Sequence, residues 1–285
     1  MFWVGEFRVH LINDAVAQMD AGGVFGLVPR ALWSTMMPHD DNNRVPMAYH
    51  ALLIQTPDKN ILVDVGYGEI PDKQMLNWFI DRSSGGVTGA LGRLGIDRHD
   101  IHLVIDTHLH GDHAGGNIMH DAAGQLVPTY PNAEYVVQRR EYHDATHPNE
   151  RTRATYLEDN YVPLIESGHM RLLDGDTELL PGVRGVVTPG HTPGHMSVII
   201  ENGGQALMFV CDLASYAIHF ERLGWMTAYD VEPLVTLETK RIWQAWALKT
   251  NALLVFPHDT RRPMGRFSLD EKGRGVITPV PEPYA

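Results

Sequence analysis

The chain of 285 residues has a single cysteine, Cys211, so it forms no internal disulfide and its fold does not depend on an oxidising compartment. Long apolar runs are missing too. Stretches such as ALMFV before Cys211 fall far short of the roughly 20 residues that span a bilayer. The start, MFWVGEFRVHLI, lacks a basic region, a long apolar segment and a small-residue cleavage site. No signal peptide is expected, and a cytoplasmic location is. Basic residues are few and dispersed. With 23 Lys and Arg against 35 Asp and Glu, the net charge of −12 repels polyanions and argues against nucleic acid as a partner. No repeat, low-complexity tract or Pro/Gly/Ser linker interrupts the chain, so one domain over 1–285 is expected. What the chain has in excess is histidine, 16 in all.

Short apolar runs recur at 7–12, 49–55, 61–65, 101–106, 134–138, 183–188, 196–201, 206–212 and 252–256, and read as strands. Helical spacing appears at 72–81, 151–166 and 231–249. This pattern predicts an α/β sandwich with central sheets and outer helices.

The histidines concentrate after the strand IHLVID, in Thr107, His108, His110, Gly111, Asp112, His113, Gly115 and Gly116. In extended chain, residues two apart point the same way, so His108 and His110 can share one metal ion. Gly111 permits a sharp turn, after which Asp112 and His113 can swing toward a second position. Imidazole and carboxylate suit zinc, with manganese, iron or cobalt as alternatives. Three more polar residues stand at the ends of apolar strands: His191 in TPGHTPGH, Asp212 after ALMFVC, and His258 after ALLVFP. Strand ends can converge on one site while the strands stay in the core, so these residues complete a two-metal set.

Together LVDVG (62–66), THLHGDH (107–113), PGHTPGH (189–195), CD (211–212) and PH (257–258) resemble the metallo-β-lactamase superfamily over nearly the whole chain. The resemblance implies the four-layered αβ/βα sandwich. It implies that His108, His110 and His191 hold a first metal, that Asp112, His113 and His258 hold a second, and that Asp212 bridges both. Asp64 matches the family's first motif and is expected to orient the histidine loop. Cys211 and Asp212, adjacent in a strand, should face opposite ways. The carboxylate is the better bridge, which leaves Cys211 in the core and argues against β-lactam hydrolysis. The implied mechanism has two ions sharing a hydroxide that attacks a carbonyl or phosphoryl centre, with Asp112 shuttling the proton to the leaving group.

The substrate is written less clearly. Residues 22–47 are rich in glycine, aromatics and methionine, and read as a loop with an apolar face that includes Phe25, Trp33, Met36 and Met37. Such a loop serves as a lid over the metals, as a contact in a homodimer, or as plain surface. This stretch and residues 215–233 resemble the branch of N-acyl homoserine lactone lactonases and methyl parathion hydrolase-like enzymes. In those lactonases a tyrosine shortly after the bridging aspartate meets the substrate carbonyl. Tyr216 is the nearest counterpart, one residue further on than that pattern has it. Trp225, Met226 and Tyr229 either line the pocket or pack under the last helix.

The leading expectation is therefore a small-molecule hydrolase acting on lactones. A phosphotriesterase on the same metals is the alternative. A glyoxalase II-type thioesterase would want a basic patch, and none stands out. Persulfide dioxygenase or flavodiiron chemistry is a weaker fit, since flavodiiron proteins usually replace the second histidine of H-x-H and His110 stands here. A non-enzymatic relative would normally have lost ligands.

Overall fold

A computed structural model describes residues 1–69 and 79–281. The helical pattern at 72–81 falls mostly outside the described residues. Strands β1 (Phe2–Val4), β2 (Phe7–Asp20), β3 (Arg44–Gln55), β4 (Asn60–Val63) and β5 (Leu103–Ile105) come first. A small hairpin, β6 (Ile118–His120) and β7 (Leu126–Pro128), precedes β8 (Glu134–Gln138) and β9 (Met170–Leu173). The second half supplies β10 (Thr177–Leu180), β11 (Val183–Val187), β12 (Met196–Asn202), β13 (Gln205–Phe209), β14 (Leu253–Val255), β15 (Met264–Leu269) and β16 (Gly275–Pro279). They build two seven-stranded sheets, ordered β1-β2-β3-β4-β5-β8-β9 and β10 through β16.

The period-two alternation of the apolar strands explains why there are four layers. Ile61, Val63 and Ile105 of the first sheet meet Val198, Ile200, Phe209 and Val255 of the second in a shared inner core. The alternate residues Leu62, Val104 and Tyr135 turn outward. They pack beneath α3 (Gly86–Arg93), α5 (Arg139–Thr146) and α6 (Val162–Glu166), each numbered in chain order after α1 (Ala21–Phe25), α2 (Arg30–Trp33) and α4 (Gly111–Ala114). Ile199, Met208 and Leu254 turn outward on the other side, against α7 (Ala217–Glu221) and α8 (Pro233–Thr250). The result is the expected helix–sheet–sheet–helix sandwich. No helix among the described residues is long and apolar enough to cross a membrane.

Three local expectations are corrected. Residues 22–47 are not one loop, because β2 runs on to Asp20 and pairs with β3 as far as Asp20↔Arg44, with α1 and α2 between them. The small Ala15 and Ala17 flank the apolar, half-buried Val16 and follow the buried Asp14, so no apolar/polar contrast marked the strand's buried face. The helix expected over 151–166 shrinks to Val162–Glu166. Asn149 and Thr152 side chains capture the backbone N–H groups of Asn149, Arg151 and Thr152, which competes with helix, and Pro163 lies in the first turn of the short helix instead. The strand expected over 206–212 ends at Phe209, and Cys211–Leu213 form a 3-10 turn with Cys211 at φ +50°.

Candidate metal centre

In each half, parallel strands direct their C-terminal ends toward one edge of the sandwich. β4 and β5 are parallel in the first sheet, as are β13 and β14 in the second. The segments leaving β5, β11, β13 and β14 therefore meet there, carrying His108 and His110, His191, Asp212, and His258. His113 and Asp112 come from α4. Gly111 opens that helix, and the turn needs no left-handed backbone from it. The glycines that matter are Gly115 and Gly116. A methyl group on them would strike the carbonyls of Tyr67 and Val65 at 2.4 and 2.3 Å, so only glycine lets the histidine segment lie against LVDVG.

The ligating atoms of His108, His110 and His191 lie within 4.8 Å of one another, and so do those of Asp112, His113 and His258. His110 Nδ1 is 3.1 Å from both His108 Nε2 and His191 Nε2. Nitrogens on a tetrahedral zinc, each about 2.0–2.1 Å from the ion, stand about 3.3 Å apart, so this triad has the span a metal requires. The Asp212 carboxylate stands between the triads. Its Oδ2 is 3.2 Å from His191 Nε2 and 3.6 Å from His113 Nε2, and its Oδ1 is 3.1 Å from His258 Nε2. His113 Nε2 and His258 Nε2 are buried and face that carboxylate, with no well-aligned hydrogen bond among the described residues. Buried lone pairs aimed at a carboxylate-lined gap fit divalent cations.

Three of the imidazoles are held from behind. His113 Nδ1 donates to Asp64 Oδ2 at 2.8 Å, His191 Nδ1 to Asp230 Oδ1 at 3.0 Å, and His258 Nδ1 to the Ala48 carbonyl at 2.7 Å. These acceptors keep the proton on Nδ1 and present Nε2 to the centre. Asp64, itself at φ +56°, also accepts from Thr107 N and Oγ1 at 2.9 Å. His195 stays outside the centre, where its Nε2 accepts the Asp212 backbone N–H at 3.1 Å. Burial pushes the His108 and His110 pKa values well below the usual range, the neutral form that metal ligation needs. Burial alone would raise the Asp212 carboxyl, but His258, His191 and His113 outweigh it and hold it well below the carboxylate range.

Sequence reasoning missed two carboxylates. Asp230 reaches His191 from the segment before α8, where Thr227 Oγ1 also donates to it at 2.7 Å. Glu141, on α5, reaches both histidine loops. Neither belongs to a motif, and only the fold brings them in. Cys211 lies below the site, not across a strand from Asp212, with its Sγ 3.0 Å from Thr107 Oγ1 and 3.4 Å from Asp64 Oδ2. Its atoms also fall within 4.8 Å of those of His108 and His113. Burial pushes the thiol pKa up.

A model of the metallo-beta-lactamase superfamily matches residues 44–275. The chain belongs to that superfamily. It is 31% identical over 224 residues to an N-acyl homoserine lactonase of a Bacillus species, covering 75% of this chain and 82% of that one. A probable metal-dependent hydrolase from Staphylococcus aureus superposes with a TM-score of 0.86 at 29% identity, covering 98% of this chain and all of that one. AidC, a dizinc quorum-quenching lactonase solved with its N-hexanoyl-L-homoserine product, superposes at 0.81 with 20% identity, covering 98% and 96%, and shows a shared fold. The superfamily's hydrolases set the class of chemistry, so this chain is an enzyme of that kind.

A cavity of about 350 Å³ opens over the centre. His110, Asp112, His191 and Asp212 form its metal-facing end, while Met19, Val24, Met47, Leu157 and four tyrosines line much of the rest, interrupted by polar groups such as Glu69 and Asn160. Of the residues expected to line it, Tyr229 does, while Phe25, Trp33, Met36 and Trp225 do not. Phe25, Trp33 and Trp225 pack behind the wall, with Phe25 and Trp33 rings stacked at 5.3 Å, and Met36 is exposed. Their apolar faces meet each other because the β2–β3 ladder folds α1 and α2 back onto residues 216–225. Tyr216 is on the cavity wall, with its hydroxyl donating to the Pro46 carbonyl at 3.1 Å.

Proposed function

We propose that this chain hydrolyses lactones of the N-acyl homoserine lactone type with a pair of divalent ions, most simply zinc. The observation that carries the reading is the Asp212 carboxylate set between two ligand triads at the end of a cavity whose wall is mostly apolar, of methionine, valine, leucine and tyrosine. His108, His110 and His191 would hold one ion, Asp112, His113 and His258 the other, and Asp212 both. When bound, such a pair acidifies water and polarises the oxygen of the scissile group. The chain's own residues do the rest. The apolar wall takes an acyl chain and keeps water from it. Asp112 Oδ2 stands 3.5 Å from His113 Nε2 and 3.8 Å from His258 Nε2, while the residue also lines the cavity, so its carboxyl can carry a proton to the leaving oxygen. No Lys or Arg is among the described residues lining this cavity, which speaks against a thioesterase that must bind a carboxylate-bearing thiol.

The test is elemental analysis of the purified chain, with the same sample assayed on N-hexanoyl homoserine lactone and on diethyl 4-nitrophenyl phosphate. Two divalent ions per chain with faster lactone turnover supports the reading. Faster phosphotriester turnover replaces it with the phosphotriesterase, and a chain that stays metal-free after reconstitution removes both. A homodimer through residues 22–47 is a separate proposal, resting on the exposed Leu27, Leu32 and Met36. A monomer in sedimentation at micromolar concentration would remove it.

A further inference from the structure

We propose that Tyr49, and not Tyr216, supplies the phenol that hydrogen-bonds the substrate's electrophilic oxygen in this chain. The inference rests on the reading of the site as an ester hydrolase.

A phenol in that role needs a hydroxyl not already committed to the protein, a place on the cavity wall, and a fixed position relative to the metal ligands. Tyr216 fails the first requirement. Its hydroxyl donates to the Pro46 carbonyl, and its ring is wholly buried against Phe25 and His219. Ser215, directly ahead of it, donates to Asp212 Oδ1 at 3.1 Å and so serves the carboxylate instead.

Tyr49 meets all three. It lines the cavity, yet is only 2% exposed. Its hydroxyl is buried and tied to no backbone group or carboxylate; what it faces is the hydroxyl of Tyr67, which lines the same cavity. A buried hydroxyl without a firm partner costs stability, and such groups persist where a ligand completes them. The ring packs edge-on to His258 at 5.3 Å and to Tyr67 at 4.6 Å. Both neighbours of Tyr49 in β3 are tied to the segment that carries His258. Ala48 N donates to the His258 carbonyl at 3.1 Å, His50 N donates to the Pro257 carbonyl at 2.9 Å, and His258 Nδ1 returns a bond to the Ala48 carbonyl. The phenol is therefore fixed to the second triad by backbone bonds on either side. Tyr67 is held as firmly, since its N–H donates to the buried carboxylate of Asp14 at 3.1 Å, which also pairs with Arg82 at 2.8 Å. The fold thus brings a substrate donor from β3 of the first sheet, in place of one from the turn after Asp212.

The two tyrosines predict opposite signatures. In the zinc-loaded full chain, Tyr49→Phe removes a hydroxyl whose described neighbour is the phenol of Tyr67, and no backbone or carboxylate bond. Its melting temperature should equal or exceed that of the wild type. Its kcat should fall at least about tenfold, toward the loss seen when one oxyanion donor is removed. KM should stay within about twofold, because the bond strengthens as charge develops. Tyr216→Phe loses the bond to Pro46, so it should melt lower and cost less in kcat than Tyr49→Phe. Wild-type turnover by Tyr49→Phe, a larger kcat loss in Tyr216→Phe, or a lower melting temperature in Tyr49→Phe would each overturn the inference. Rates are read on both N-hexanoyl homoserine lactone and diethyl 4-nitrophenyl phosphate. Wild-type turnover of the phosphotriester alone retires the lactone reading, while the Tyr49→Phe ratio on that substrate still decides this one. If neither is turned over, the melting comparison decides it.

Discussion

Glu141 offers the sharpest test of how this centre is held. Its side chain is fully buried on α5. Oε1 accepts the Leu109 N–H and the Tyr156 hydroxyl, each at 3.0 Å, and Oε2 accepts the Thr192 hydroxyl at 2.5 Å. Leu109 sits between His108 and His110, and Thr192 follows His191. One carboxylate therefore ties together the two loops that build the first triad. Glu141→Ala strands a buried amide and two hydroxyls. An unsatisfied buried donor costs about 1–3 kcal/mol, and the hydroxyls can rotate toward other acceptors, so the sum is about 3–5 kcal/mol. With both loops loosened, zinc affinity should fall about 10- to 100-fold, as it does when groups that orient ligands are removed. Glu141→Gln keeps Oε1 as acceptor, and its amide can donate to Thr192 Oγ1, so it should cost only about 1 kcal/mol. Urea unfolding with and without chelator reads the first quantity, and zinc titration against a competing chelator reads the second. The stability loss must persist in the metal-free protein, since none of these bonds involves an ion. An alanine variant within about 1 kcal/mol of wild type, with unchanged zinc affinity, would refute the reasoning.

Asp212→Ala should lower bound metal and activity together, and near-normal metal content by elemental analysis would take away its bridging role. Chelation should lower the melting temperature and added zinc restore it, because a ligand bound only by the folded state stabilises it by mass action. His219 is buried beside Phe25 and Tyr216, and burial, reinforced by Lys240, lowers its pKa from 6.5 to about 3. A histidine whose folded pKa is depressed contributes stability above its unfolded pKa, and that stability is lost as pH falls from 6.5 toward 3. The slope it adds is about 1.4 kcal/mol per pH unit. His219→Phe should remove that slope between pH 6 and 4 in urea unfolding, and an unchanged slope would sink the account.

Ligand spacing and strand pattern reside in the chain itself. His108, His110, Asp112 and His113 are close in sequence, so local geometry alone aims them at neighbouring points. The strands at 134–138, 183–188 and 196–201 were legible because short, near-continuous apolar runs mark strands buried on both faces. The ladder β2–β3 beyond Ile12 was not legible, since its buried face carries Ala15 and Ala17 while the apolar Val16 faces the other way, and no contrast marks the two faces. Aromatic richness at 22–47 marked burial correctly, yet burial does not say against what, and Phe25 and Trp33 pack on each other behind the cavity.

The sequence by itself determined the class of site: which residue types ligate, where they stand relative to strand ends, and the sandwich that brings those ends together. Tertiary structure alone decided what surrounds them. Asp230, Glu141 and the Ala48 carbonyl reach their histidines or histidine loops across 39, 32 and 210 residues, as acceptors for groups far away in the chain. A hydrogen-bond acceptor carries no periodicity or spacing of its own; its role depends on which distant donor the folded chain sets beside it.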